Sequence, residues 1–161
     1  MKESIYTIFL IGEFGLVVPL FILLFFIRAP YGKFLSRGWG PSFNPKFAWF
    51  LMEIPAVAIP LYWFLSSGNT GSVYHILCIT VWLLHYGQRT GIYPFLLNSN
   101  TRRVPLAIIL FSIIFNGVNG LINGYGIYII QPARPEWMLS PLMIAGLLLF
   151  IIGFLINLQA D

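Results

Sequence analysis

Charged residues are scarce in this chain: Asp, Glu, Lys and Arg together make up 9% of its 161 residues. A soluble domain of this size carries roughly 25% charged residues. Hydrophobic residues make up 58% of the chain, and its mean hydropathy is +0.84. Too little polar surface is left to face water on all sides, which excludes a soluble globular domain. The composition therefore predicts a protein embedded in lipid.

Cysteine is almost absent, and a single residue, Cys78, cannot form an internal disulfide. The two histidines, His75 and His85, have no cysteine pair nearby, so no metal site is predicted. The net charge is only +4, and the basic residues lie between apolar runs. This distribution argues against a nucleic-acid partner.

Long apolar runs account for most of the chain and predict an all-α, multi-pass transmembrane helical bundle. Each run is long enough to cross a bilayer as a helix. The first is longer than the apolar region of a signal peptide and is followed by no small-x-small cleavage site, so we interpret it as a retained helix. We predict one membrane domain over residues 1–161, with spans at 5–27, 47–65, 73–97, 104–130 and 139–158.

The basic residues predict an orientation. Four of them lie between spans one and two, Arg102 and Arg103 lie between spans three and four, and residues 66–72 carry no charge. The positive-inside rule then places the N-terminus outside or in the lumen, in either a bacterial inner membrane or the endoplasmic reticulum. The fifth span ends without a basic anchor. We expect either a polar end of a short protein or the N-terminal portion of a longer one.

Glu53 is an ionisable residue inside the second apolar run. A charge near the centre of a membrane helix costs about 2.5–3.5 kcal/mol, so such a residue marks a functional site by default. Pro55 follows it and removes the helical hydrogen bond to the carbonyl of Leu51. The alternative role for Glu53 is a structural ion pair with Arg89.

Two further stripes of polar residues lie on the neighbouring spans. In the third span, His85, Tyr86, Arg89 and Tyr93 fall within an arc of about 100° on a helix. Tyr86 is the best catalytic candidate among them, because a phenol is a good neutral donor in an apolar pocket. The fourth span carries a stripe of asparagines and interleaved glycines, which could equally be a helix-packing device. These residues are Asn116, Asn119 and Asn123, with Gly117, Gly120 and Gly124.

Four segments, in order along the chain, resemble the steroid 5α-reductase (3-oxo-5α-steroid 4-dehydrogenase) family. The family patterns are A-W-F-L-x-E-L-P, L-H-Y-x-x-R-T-x-x-Y, N-G-x-x-Q-G-Y and I-N-x-x-x-D. The matching segments are residues 48–55 (AWFLMEIP), 84–93 (LHYGQRTGIY), 119–125 (NGLINGY) and 156–161 (INLQAD).

The resemblance implies a seven-helix membrane enzyme that uses NADPH to reduce the Δ4 double bond of 3-oxo-steroids. It implies that Glu53 and Tyr86 hydrogen-bond the 3-keto oxygen, so that hydride can reach C5 before a proton is added at C4. The residues that it places in contact with the substrate are Trp49, Met52, Arg89 and Phe111. Those that it assigns to the cofactor are Asn119, Asn157 and Asp161.

Departures from the family pattern widen the range of substrates. Met52 stands where steroid-handling members often carry Gln, Gln159 where they often carry His, and Phe111 near a position that is basic in some of them. A hydrophobic enone is still the expected substrate and membrane lipid the expected surroundings. The alternatives are a polyprenol or long-chain enoyl reductase of the same superfamily, a small transporter or proton-relay protein, and a purely structural subunit.

Overall fold

Helices dominate the structure, a computed structural model that describes residues 2–27, 38–97, 103–131 and 133–160. A short antiparallel pair of strands joins residues 42–43 to residues 104–105, with Ser42 opposite Pro105. In chain order the elements are α1 (Lys2–Leu23), β1 (Ser42–Phe43), α2 (Pro45–Ser66), α3 (Val73–Gly87), a π-helical turn (Gln88–Ile92), α4 (Tyr93–Leu96), β2 (Val104–Pro105), α5 (Leu106–Tyr125), a second π-helical turn (Gly126–Ile130), a 3₁₀ turn (Pro135–Trp137) and α6 (Pro141–Ala160).

The predicted all-α multi-pass membrane bundle is confirmed. Within the described ranges, four helices are long and apolar enough to cross a membrane, at Ser4–Leu23, Pro45–Ser66, Leu106–Ile130 and Pro141–Ala160. The region predicted as a span over residues 73–97 is also helical. It consists of α3, only 15 residues long, the π turn and α4, and ends at Leu96.

The ends of the helices follow from local chemistry. Pro45 occupies the first turn of α2, where its missing amide proton is not needed, and the side chain of Asn44 accepts a hydrogen bond from the Lys46 amide at 2.9 Å. Ser72 caps α3 in the same way by accepting from the amide of His75. Both helices therefore begin where a side-chain oxygen replaces the missing backbone acceptor.

The outer helices present apolar side chains to their surroundings. Large hydrophobic residues are exposed along α1, and α6 has no buried residue at all within Pro141–Ala160. Such surfaces are unfavourable in water and suited to lipid. The buried core lies between α2 and α5, where Ala48 and Met52 pack with Val104 and Ile109.

Small residues on α5 allow α2 and α5 to approach closely. A Cβ atom added at Gly120 would lie 3.3 Å from the Pro55 carbonyl oxygen and 3.2 Å from Cδ of Pro60. At Gly124 it would lie 2.9 Å from both Cα of Pro60 and Cδ1 of Trp63. The proline-containing stretch of α2 therefore packs directly on the glycine face of α5, as close-packed membrane helices do.

A tryptophan on α3 satisfies the carbonyl that Pro60 leaves without a partner. Proline has no amide proton, so the carbonyl of Ala56 cannot make its usual bond within the helix. The indole Nε1 of Trp82 donates to this oxygen at 2.7 Å. The break in α2 thus becomes a direct link between α2 and α3.

We expect Gly124→Ala to lower stability by about 1–3 kcal/mol, because the added methyl group meets the backbone of Pro60, which cannot move aside. Gly117→Ala is the matched control on the same helix, since its methyl group would lie 4.0 Å from Ile59 Cδ1. Thermal unfolding midpoints of both variants in detergent check this. Equal midpoints for the two variants would contradict the close α2–α5 contact.

Candidate active site

Glu53 is buried in the middle of α2, with 7% of its surface exposed. Its Oε1 accepts a hydrogen bond from Nε of Arg89 at 3.1 Å, which makes the two residues an ion pair. A buried charge without a partner would cost several kcal/mol. The Arg89 guanidinium offsets this cost, so the ion pair considered as an alternative from the sequence exists in the structure.

Asn116 of α5 supplies the second contact to Glu53. Its Nδ2 donates to the backbone carbonyl of Met52 at 2.7 Å and lies 3.4 Å from Oε2 of Glu53. The carboxylate therefore receives donors from two other helical segments. Both contacts use an oxygen of Glu53 as acceptor.

The π turn at Gln88–Ile92 places Arg89 against two aromatic rings. The guanidinium carbon lies 4.8 Å from the centre of the Trp49 ring and 5.2 Å from that of Tyr93. The two rings meet edge to face with their centres 4.9 Å apart. Cation–π contacts with both rings thus help to hold the arginine in place. An extra residue in a helical turn changes the direction of the side chains around it, and such turns are frequent at functional sites.

Tyr86 lies near this pair and belongs to a second set of polar contacts. Its hydroxyl oxygen accepts a hydrogen bond from Nδ2 of Asn119 at 3.1 Å. Asn123 in turn donates to Asn119. The phenol is also close enough to Glu53 and Arg89 to interact electrostatically with both. The structure therefore brings the two predicted catalytic residues into one polar region between α2, α3 and α5.

A cavity of about 560 Å³ lies between α3, α5 and α6. Its polar lining is concentrated on four residues, His85, Tyr86, Asn123 and Asn157, whereas the rest is mostly apolar. Ligand pockets in proteins usually measure about 300–1,000 Å³ and combine apolar walls with a few polar groups. Tyr86 thus lines a cavity that suits a largely hydrophobic molecule.

The other predicted site residues lie in different places. Trp49 contacts Arg89 as described. Met52 is 6% exposed and belongs to the core between α2 and α5, and Phe111 is 64% exposed on α5; the structure brings neither side chain to the cavity lining. Asn157 lines the cavity, whereas Asp161 lies outside the described residues.

Sequence reasoning did not assign roles to several residues that shape the site. Asn116 belongs to the stripe of asparagines predicted on the fourth span. Its contact with Glu53 could not be predicted, because it depends on which face of α5 meets α2. Part of the role of Trp82 could have been predicted from Pro60. A proline at this position leaves the carbonyl of Ala56 without its helical donor, and Trp82 supplies one. His75 is fully buried, and its ring nitrogens make no hydrogen bond within the described part of the chain. No signal in the sequence pointed to that burial.

Comparison with known proteins shows similarity to one family. A family model described as 3-oxo-5-alpha-steroid 4-dehydrogenase matches residues 102–161. The chain is 32% identical over 163 residues to Steroid 5-alpha-reductase DET2 of Gossypium hirsutum, an alignment that covers 99% of this chain and 63% of that protein. It is 28% identical over 158 residues to 3-oxo-5-alpha-steroid 4-dehydrogenase 1 of Bos taurus, covering 92% of this chain and 59% of that one.

The chain spans about three fifths of the length of these two relatives. The match to the Gossypium protein covers nearly the whole of the present sequence, so it includes Glu53, Tyr86 and the asparagines of α5. The four sequence segments and these similarities agree: over nearly its whole length the chain is similar to proteins of the steroid 5α-reductase (3-oxo-5-alpha-steroid 4-dehydrogenase) family.

Proposed function

We propose that this protein is a membrane-embedded, NADPH-dependent reductase of the Δ4 double bond of 3-oxo-steroids. The observation that carries the proposal is that Tyr86 lines a largely apolar cavity and interacts electrostatically with the buried pair of Glu53 and Arg89. A hydrophobic enone has one polar group, its ketone. The cavity matches this distribution, because most of its lining is apolar and its polar groups lie on a few residues.

The chemistry asks for hydrogen-bond donors at the ketone oxygen. Withdrawing electron density from that oxygen makes C5 electron-poor, because C5 is conjugated to the carbonyl through the Δ4 double bond. When hydride adds at C5, the C4–C5 π electrons move towards oxygen and an enolate develops. A donor already in place stabilises this charge without reorganisation. Adding a proton at C4 then gives the saturated ketone.

Tyr86 is the direct donor in this proposal. Its aromatic ring lies against Trp82, with the ring centres 4.8 Å apart, and the hydroxyl of Thr90 donates to its backbone carbonyl at 2.7 Å. These contacts hold the phenol in position before substrate arrives.

Glu53 supports the polarisation of the ketone oxygen indirectly in this proposal. As a carboxylate it can only accept hydrogen bonds, and in the structure it accepts from Arg89 and Asn116. Its negative charge holds these two donors in place.

In this proposal the nicotinamide end of the cofactor binds in the same cavity. Asn157 lines the cavity, and a side-chain amide can pair with the carboxamide of a nicotinamide ring. A reduced nicotinamide, when bound, supplies the hydride. The residues of this chain orient that ring and keep the surrounding wall apolar.

The function itself is tested with a panel of enones given to the full-length protein in membranes. We expect NADPH-dependent reduction of a Δ4-3-oxo-steroid, identified as the 5α-reduced product by mass spectrometry. A long-chain enoyl thioester and a polyprenyl enone serve as the competing substrates. Preferred reduction of either would assign the protein to another branch of reductases, and absence of any NADPH oxidation would favour a transporter or proton relay.

Tyr86→Phe removes one oxygen atom and leaves the ring in place. We expect kcat for steroid reduction to fall by about 10²–10³-fold, the usual effect of losing a donor to a developing oxyanion. Tyr62→Phe is the matched control, because Tyr62 is 60% exposed on α2. Steady-state kinetics on both variants check the role, and an unchanged kcat in Tyr86→Phe would refute it.

Glu53→Gln keeps the size of the side chain but removes its negative charge, so Arg89 and Asn116 lose their charged acceptor. We expect kcat/KM to fall by about 100-fold or more. Glu136→Gln makes the same change at an exposed position near the start of α6 and should behave like the unmodified protein. Comparable activity in all three proteins would mean that Glu53 has only a structural role.

A further inference from the structure

Two asparagines one turn apart on α5 form a directed chain of hydrogen bonds that ends on Tyr86. Nδ2 of Asn123 donates to the backbone carbonyl of Asn119 at 2.9 Å and to Oδ1 of Asn119 at 2.8 Å. Nδ2 of Asn119 then donates to the Tyr86 hydroxyl oxygen at 3.1 Å. Asn123 also lines the cavity, beside Tyr86.

The backbone carbonyl of Asn119 sets the direction of all these hydrogen bonds. A carbonyl oxygen only accepts, so Asn123 must turn its NH₂ group towards Asn119. The Oδ1 atom of Asn119 then has to face Asn123, and its NH₂ group has to face Tyr86. Rotating either amide by 180° would oppose two oxygens or two NH₂ groups and leave partly buried groups unsatisfied, which is unfavourable.

This direction decides what Tyr86 can do with its proton. An NH₂ group cannot accept a hydrogen bond, so the phenol cannot donate to Asn119. Within the described part of the chain, the hydrogen bond shown at the Tyr86 hydroxyl is the one that it accepts. Its proton is therefore left to point into the cavity that Tyr86 lines.

We propose that Asn123 is a positioning residue that fixes the amide of Asn119 and thereby directs the Tyr86 proton towards the bound ketone. The inference rests on the proposed function, in which Tyr86 is the donor. It adds a role for two residues that do not themselves contact the reacting atoms. Asn119 and Asn123 act through the orientation of the phenol.

The test uses one substitution to reverse the direction of the hydrogen bonds between Asn123, Asn119 and Tyr86. In Asn123→Asp the carboxylate cannot donate, so the amide of Asn119 turns its NH₂ group towards Asp and its oxygen towards Tyr86, which then donates to Asn119 instead of the ketone. We expect kcat for the Δ4-3-oxo-steroid to fall by about 10-fold or more, with KM changed by less than about 3-fold. Asn123→Leu removes the donor without adding a charge, and Asn69→Asp at an exposed loop position is the control for charge alone.

A double-mutant cycle separates this role from a general structural one. In the Tyr86→Phe background, Asn123→Asp and Asn123→Leu should change kcat by less than about 2-fold, because there is no phenol proton left to direct. If both substitutions lower kcat by the same factor with and without the Tyr86 hydroxyl, Asn123 does not act through Tyr86 and the proposal is overturned.

A spectroscopic readout keeps the proposal testable even if no enone is reduced. The C–O stretching band of Tyr86 is isolated as the resonance Raman difference between the protein and its Tyr86→Phe variant. Donating a hydrogen bond strengthens the phenolic C–O bond and accepting one weakens it, so the band should move to higher frequency in Asn123→Asp. An unmoved band would overturn the inference. Absence of enone reduction together with a moved band would contradict the proposed function alone.

Discussion

Burial of the Glu53 carboxylate imposes a constraint on three parts of the bundle at once. A charge in an apolar medium must be paired and hydrogen-bonded, or its desolvation outweighs what the fold gains elsewhere. The partners here come from the π turn after α3, through Arg89, and from α5, through Asn116. Arg89 in turn requires Trp49 and Tyr93 around its guanidinium. The relative positions of α2, α3 and α5 therefore depend on the side chain of Glu53.

The close packing of α2 on α5 makes these partners reachable. Asn116 can donate to the Met52 carbonyl at 2.7 Å only because the two helix backbones approach closely along the same face. The prolines of α2 assist, since each removes an amide proton and frees a carbonyl that another element can use. The indole of Trp82 donates a hydrogen bond to one of these, the carbonyl of Ala56. Features that would weaken an isolated helix become links between helices.

The sequence predicts the helical architecture well, and part of the site. Apolar runs long enough to span a bilayer leave little choice of structure, because every backbone group in lipid must be paired within the helix. The cost of an intramembrane charge singles out Glu53, and Arg89 is the nearest candidate of opposite sign. Tyr86 follows from its place on the same stripe as Arg89.

The rest of the site depends on packing that a single sequence does not reveal. Met52 and Phe111 were expected at the substrate, yet Met52 packs in the core and Phe111 points outward from α5. Both expectations came from the resemblance to the family, and a matched position does not fix which way a side chain faces. The π turn that redirects Arg89 likewise cannot be predicted from apolar residues that recur every 3.6 residues. Asn119 was expected at the cofactor, and its contacts in the structure are with Tyr86 and Asn123.

The register of α5 links the charge pair to the phenol. Asn116 and Asn119 are separated by one helical turn, and the first donates to the region of Glu53 while the second donates to Tyr86. Rotating α5 by a single residue, about 100°, would remove both donors together. Gly120 and Gly124 oppose such a rotation, because their side of α5 is narrow enough to meet Pro55 and Pro60. Helix packing and the orientation of the polar groups are therefore set by the same face, so a substitution that separates α2 from α5 disturbs Glu53 and Tyr86 together.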